Sequence, residues 1–179
     1  AHIAQNGSWQ MVRQNLNTFA RHGVFTLPGL AEQVAAKLRD PQAVAKARVL
    51  PYQLMAAYSA AGEGVPLPVK EALQDAMELA LANVPRIDGG VVVCPDVSGS
   101  MSSAVTGWRK GATSVMRCID VAALVAAAML RHNTGARVLP FETKVVDIAL
   151  NPRDSVMTNA QKLAAIGGGG TACAAPLEK

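Results

Sequence analysis

Asp96-Val97-Ser98-Gly99-Ser100-Met101 gathers the side chains best suited to chemistry in this chain. The D-x-S-x-S spacing sets a carboxylate and two hydroxyls at alternate positions, so all three turn to one side wherever the backbone stays near extended. Gly99 leaves the space between them free of a side chain. Oxygen donors without imidazole or thiolate suit a hard cation, Mg2+ or Mn2+, rather than Zn2+. A second oxygen cluster, Gly167-Gly168-Gly169-Gly170-Thr171, is flexible enough to bring the Thr171 hydroxyl over the same place. Taken singly, serines and glycines make ordinary turns and a tetraglycine makes a linker. Their joint presence, after elements of the right type and order, argues for a site. Asp96 is the one carboxylate the motif supplies, so a bound divalent cation would keep positive charge and open positions. It should hold weakly alone and more tightly once an external anion joins, either a partner's acidic side chain or a phosphate.

The elements that must position these residues can be read from periodicity. Val91-Val92-Val93-Cys94 is a short apolar run expected to form a central strand buried on both faces, ending just before Asp96. Ligands of open α/β sheets bind beyond the carboxyl ends of strands, which is where the motif lies. An alanine-rich helix is expected from about Thr113 to His132, then strands at 137–141 and 144–150. Only Glu142 and Thr143 separate those strands, so they must pair antiparallel. A helix over 155–165 follows. This order describes the first half of a mostly parallel α/β sheet with one antiparallel strand.

Upstream, the pattern is helical. Trp9, Val12, Leu16 and Phe19 predict one amphipathic helix to about His22, ended by Gly23. A second runs from after Pro28 to Arg39, with Asp40-Pro41 as the next turn. A third covers 52–61 behind Pro51. A fourth opens at Pro68 with Val69, Leu73, Met77, Ala80 and Leu81 on one stripe. Successive helices joined by short turns suggest stacked antiparallel pairs of a solenoid. The division falls in Pro85-Arg86-Ile87-Asp88-Gly89-Gly90, giving a helical segment over 1–86 and an α/β segment over 87–179.

Composition bounds the function. The 179 residues are 50% hydrophobic and 17% charged, which excludes disorder, and only 4% aromatic, which argues against stacking platforms for bases. The longest apolar run, 121–130, is half of the roughly 20 residues a membrane span needs. No basic stretch followed by an apolar core opens the chain, so no secretory signal is read. Cys94, Cys118 and Cys173 show no metal spacing and are expected to be inert core thiols in a reducing, cytoplasmic compartment. Net charge is +4, unevenly placed: residues 1–48 carry +4, 49–88 carry −3 and the remainder +3. Arg13, Arg21 and Arg48 in the basic arm are the candidates for phosphate contacts. Arg109 and Lys110 beside Trp108 are further candidates, although a solvated loop is the plainer reading.

Other chemistry finds less support. No Lys follows the glycine run, so it is not a Walker phosphate loop. No G-x-S-x-G elbow occurs, and a metal-dependent hydrolase would lack a general base. Asp120 is read as the partner of Arg117 at i, i+3, and His22 and His132 as helix-end residues suited to the dipole.

The D-x-S-x-S run after a buried strand, with its distant Gly-Gly-Thr, resembles the metal-ion-dependent adhesion site of a von Willebrand factor type A domain. That resemblance implies Ser98, Ser100 and Thr171 as direct ligands of Mg2+ or Mn2+, with Asp96 acting largely through water. The family's later aspartate has no counterpart before Lys179. Met11-Val12-Arg13-Gln14-Asn15-Leu16 and Ala47-Arg48-Val49-Leu50-Pro51-Tyr52-Gln53-Leu54 resemble the last helices of the TROVE module of Ro autoantigen proteins, which joins HEAT-like helices to an A domain. The resemblance covers 9–177. It implies a non-enzymatic protein that binds small noncoding Y RNAs and the ends of defective RNAs. In bacterial relatives an exoribonuclease is tethered through the Y RNA. Ala172 departs from the aspartate usual after the threonine. The expected fold is therefore the end of a HEAT-like α-solenoid followed by a partial von Willebrand A domain. The competing reading is a metal-dependent protein interaction module without an RNA role.

Overall fold

The computed structural model describes residues 1–105 and 116–179. The chain divides into two compact units, Ala1–Asn83 and Val84–Lys179.

The first unit is helical: α1 (His2–Asn6), α2 (Trp9–Gln14), α3 (Leu16–Arg21), α4 (Leu30–Leu38), α5 (Pro41–Ala47), α6 (Pro51–Ala60) and α7 (Leu67–Leu79). Ser8 starts α2 by accepting a hydrogen bond from Met11 N at 3.3 Å. The single helix expected from Trp9 to His22 is two helices. Asn15 Nδ2 donates to Met11 O at 2.8 Å, the carbonyl its own backbone N–H would use in a continuous helix. That N–H turns to Val12 O instead, at 3.2 Å. Local side-chain competition of this kind is why Asn is poor inside helices. The stripe survives the break, because Trp9, Val12, Leu16 and Phe19 are all buried.

Asp40-Pro41 is more than a turn. The Asp40 carboxylate accepts from Gln42 N at 2.8 Å and Ala43 N at 3.2 Å, and Pro41 occupies the first helical position, so α5 begins there. It is a helix the periodicity missed, since its only buried residue is Val44. In α7, Val69, Leu73 and Met77 are buried, as are Ala80 and Leu81 just beyond it. This stripe packs on α4 and α6. The buried indole N–H of Trp9 donates to Leu38 O at 3.1 Å, fastening α2 to the end of α4.

In the second unit, β1 (Val92–Val93) and β2 (Arg137–Val138) pair in parallel, Val92 opposite Arg137 and Val93 opposite Val138. The crossover includes α8 (Cys118–His132), and α9 (Val156–Ala164) packs on α8. The expected start of α8 near Thr113 lies outside the described residues. Ile119, Ala123, Leu124, Ala126, Ala127 and Leu130 bury the inner face of α8 against Val156, Ala160 and Leu163 of the second unit's core.

Two strand expectations need correction. β1 is not buried on both faces: Val92 is 52% exposed, because β1 has one pairing partner among the described residues. Residues 144–150 do not form a strand. Only an antiparallel bridge joins Phe141 to Val145, held by Glu142 N to Lys144 O at 2.9 Å and Val146 N to Pro140 O at 2.8 Å. The cysteine expectation also fails, since Cys94 and Cys173 are exposed and Cys118 is half-buried. Cys94 lies just past the short β1, and Cys173 in the turn after the glycine run, where no layer covers them among the described residues.

Candidate metal centre

The parallel ladder runs on past β1, with Asp96 bridging Phe141 and Val97 N donating to Phe141 O at 2.9 Å. Val97 is fully buried, which anchors the loop. Asp96 Oδ1 accepts from Ser98 N at 2.8 Å, a short local turn that sets the direction of the chain. Ser98 is extended, and the loop then tightens into a 3-10 turn over Gly99–Ser102 rather than continuing extended. The two hydroxyls meet all the same, with Ser98 Oγ 3.1 Å from Ser100 Oγ. Ser98 is only 1% exposed and Ser100 is exposed, so the pair leads from the interior to the surface.

The glycine run lies alongside. Gly168 N donates to Val97 O and Gly99 N to Gly169 O, each at 3.2 Å. A Cβ on Gly99 would come within 3.3 Å of Gly169 O, so glycine at 99 allows the two backbones to close. Thr171 is exposed two residues further on, and Ala172 N donates to Glu142 O at 2.7 Å. Asp96, Ser98 and Ser100 are therefore brought together, with the glycine run against them. Glu142 is a neighbour that motif reading did not single out. Its side chain fills the space that a side chain on Gly169 would need. The available signal was its place one residue after Phe141, at the same end of the sheet as Asp96.

This donor set fits a hard divalent cation. One carboxylate and two converging hydroxyls offer oxygen only. Such a cation would be held by Asp96, Ser98 and Ser100, with Thr171 the remaining candidate, and would supply a positive charge able to bind an anion.

The basic candidates differ in availability. Arg13 is half-buried: Nη1 donates to Gln53 O at 3.0 Å, and Nε and Nη2 reach Gln10 Oε1 at 3.2 and 3.1 Å. Burial lowers its pKa from the usual arginine value. It lines a cleft of about 220 Å³ together with Asn17 and Ala57. Arg21 and Arg48 are exposed, and among the described residues neither makes an ion pair. Arg48 ends α5 with φ +49°. Arg109 and Lys110 lie outside the described residues. Asp120 pairs with Arg117 at 2.7 Å and also accepts its backbone N–H at 2.8 Å, capping α8. His22 and His132 stand at the C-terminal ends of α3 and α8.

Residues 90–178 match the family model described as the Ro60 vWA domain. Over 99% of its length, the chain is 31% identical, across 189 aligned positions, to the RNA-binding protein RO60 of Deinococcus radiodurans. The crystal structure of the Deinococcus radiodurans RO (RSR) protein matches 93% of the chain with a TM-score of 0.72, at 23% identity, which speaks to the fold. In both comparisons the chain spans 35% of the relative's length.

Proposed function

This chain belongs to the Ro60 family, and on that premise we propose that it acts as a non-enzymatic RNA-binding protein of the Ro type, with a divalent-cation loop for docking a partner's acidic group. The observation that carries the reading is the alignment of 99% of the chain, helical unit and α/β unit in the same order, with a protein named for RNA binding. The RNA class on this reading is small noncoding Y-like RNA and structured or defective RNA in quality control, in the cytoplasm. An exoribonuclease would be a partner tethered through that RNA. Arg21 and Arg48 present exposed cations suited to phosphates, while Arg13 also serves to fasten α2 to α6. Mg2+ or Mn2+ would sit at Asp96, Ser98, Ser100 and Thr171.

Filter binding of a structured RNA across a salt series tests this. Reversing Arg21 and Arg48 to Glu should weaken binding and reduce the log–log salt slope by about 1 for each phosphate that the protein no longer neutralises. An unchanged slope removes those residues from the interface. The second reading, a metal-dependent protein interaction module without RNA, draws on the convergence of Ser98 and Ser100 in the α/β unit. It predicts no RNA binding at any salt.

A further inference from the structure

We propose that Glu142 is a second carboxylate of the cation loop, acting on the ion through its bound water. The inference rests on the cation reading of Asp96, Ser98 and Ser100 and extends it by one residue and one charge. Glu142 directly follows Phe141, which bridges Asp96, so both acids leave the sheet at the same end. Its backbone is fixed on both sides, with its carbonyl accepting from Ala172 N at 2.7 Å and its N–H donating to Lys144 O at 2.9 Å. Its side chain lies over Gly169, with the carboxylate where a Gly169 side chain would have to go.

Gly169 in turn bonds Gly99, the residue between the two serines. A single glycine thus separates the Glu142 carboxylate from the loop that carries the hydroxyl pair, so the acid faces that loop without being bonded to it. Mg2+ keeps several waters and is commonly held by one or two carboxylates, so such a contact matches its chemistry. Asp96 alone would leave a divalent ion with one uncompensated charge, and Glu142, acting through water, offsets part of it while leaving positive charge for an external anion. Among the described residues no Lys or Arg pairs with Glu142, so this carboxylate does not serve a protein cation there. Gly169 holds φ +69°, and its missing side chain also makes the seat for the carboxylate.

The test is isothermal titration of the whole chain with MnCl2 or MgCl2 in a buffer free of phosphate and carboxylates. Glu142→Gln keeps the shape over Gly169 and removes only the charge. It should weaken cation affinity about 10- to 100-fold, the usual effect of losing a carboxylate that acts through a ligand. Glu142→Asp should recover part of that loss, and Glu178→Gln should bind like wild type. Thermal unfolding without cation should be the same for Glu142→Gln and wild type, with the variant gaining less from added Mn2+. Wild-type affinity in Glu142→Gln, alongside weakened binding in Ser98→Ala, overturns the role of Glu142 and leaves the cation loop standing. No cation binding by the wild type overturns both.

Discussion

Asp120 shows how one side chain can be read correctly from spacing and still owe its energetics to the folded environment. Burial raises its pKa, but the Arg117 side chain, the Arg117 backbone N–H and the Arg117 charge together outweigh that and hold the carboxyl below its usual range. A depressed folded pKa means that Asp120 contributes stability above the unfolded value of about 3.9, which is lost as pH falls through the folded value. Asp120→Ala should cost about 1 kcal/mol at pH 7, mostly as a lost cap, since half-exposed ion pairs add little. Urea titrations should show that gap unchanged down to about pH 5 and shrinking below about pH 4. A gap independent of pH would remove the carboxylate from the explanation. At this scale the sequence was legible for some partners that are neighbours in the chain, Asp120 with Arg117 and Ser98 with Ser100. It could not show Glu142 lying over Gly169, a relation that exists only because two distant segments lie against each other.

Among the elements, long stripes were legible and short or interrupted ones were not. The buried face of α7 follows from its period, whereas α5 hides behind a single buried valine and is announced by its cap alone. The cap therefore carries the weight. Asp40→Ala should lower stability by about 1 kcal/mol and Tm by about 3 °C in a thermal melt. Asn15→Ala should do the opposite, by removing the amide that takes Met11 O and putting a better helix former in its place. A gain of about 0.5 kcal/mol and a deeper far-UV helical signal are expected. If Asn15→Ala destabilises instead, the break between α2 and α3 is set by packing and not by Asn15. The missing strand over 144–150 has a comparable cause. Two residues after Phe141 suffice for a turn and one antiparallel bridge, but a ladder needs a partner along its whole length.

Across the whole molecule, Arg21 and Arg48 fall in the compact unit Ala1–Asn83 and the cation loop in Val84–Lys179. Their roles should separate cleanly. Reversing Arg21 and Arg48 should leave the Mn2+ affinity of the full chain unchanged, and Ser98→Ala should leave the salt slope of RNA binding unchanged. Cross-effects in either direction would show that RNA and cation share one site. Helical character upstream, an α/β pattern downstream and an all-oxygen donor set were readable from order and spacing alone, because period, caps and donor chemistry are properties of neighbours in the chain. Only the folded chain decided that β1 pairs β2 and leaves Val92 exposed, that Arg13 is engaged by Gln53, and that Gly169 lies on Gly99 beneath Glu142. Those relations join positions far apart in sequence, and they exist only once packing and backbone hydrogen bonds have set one segment against another.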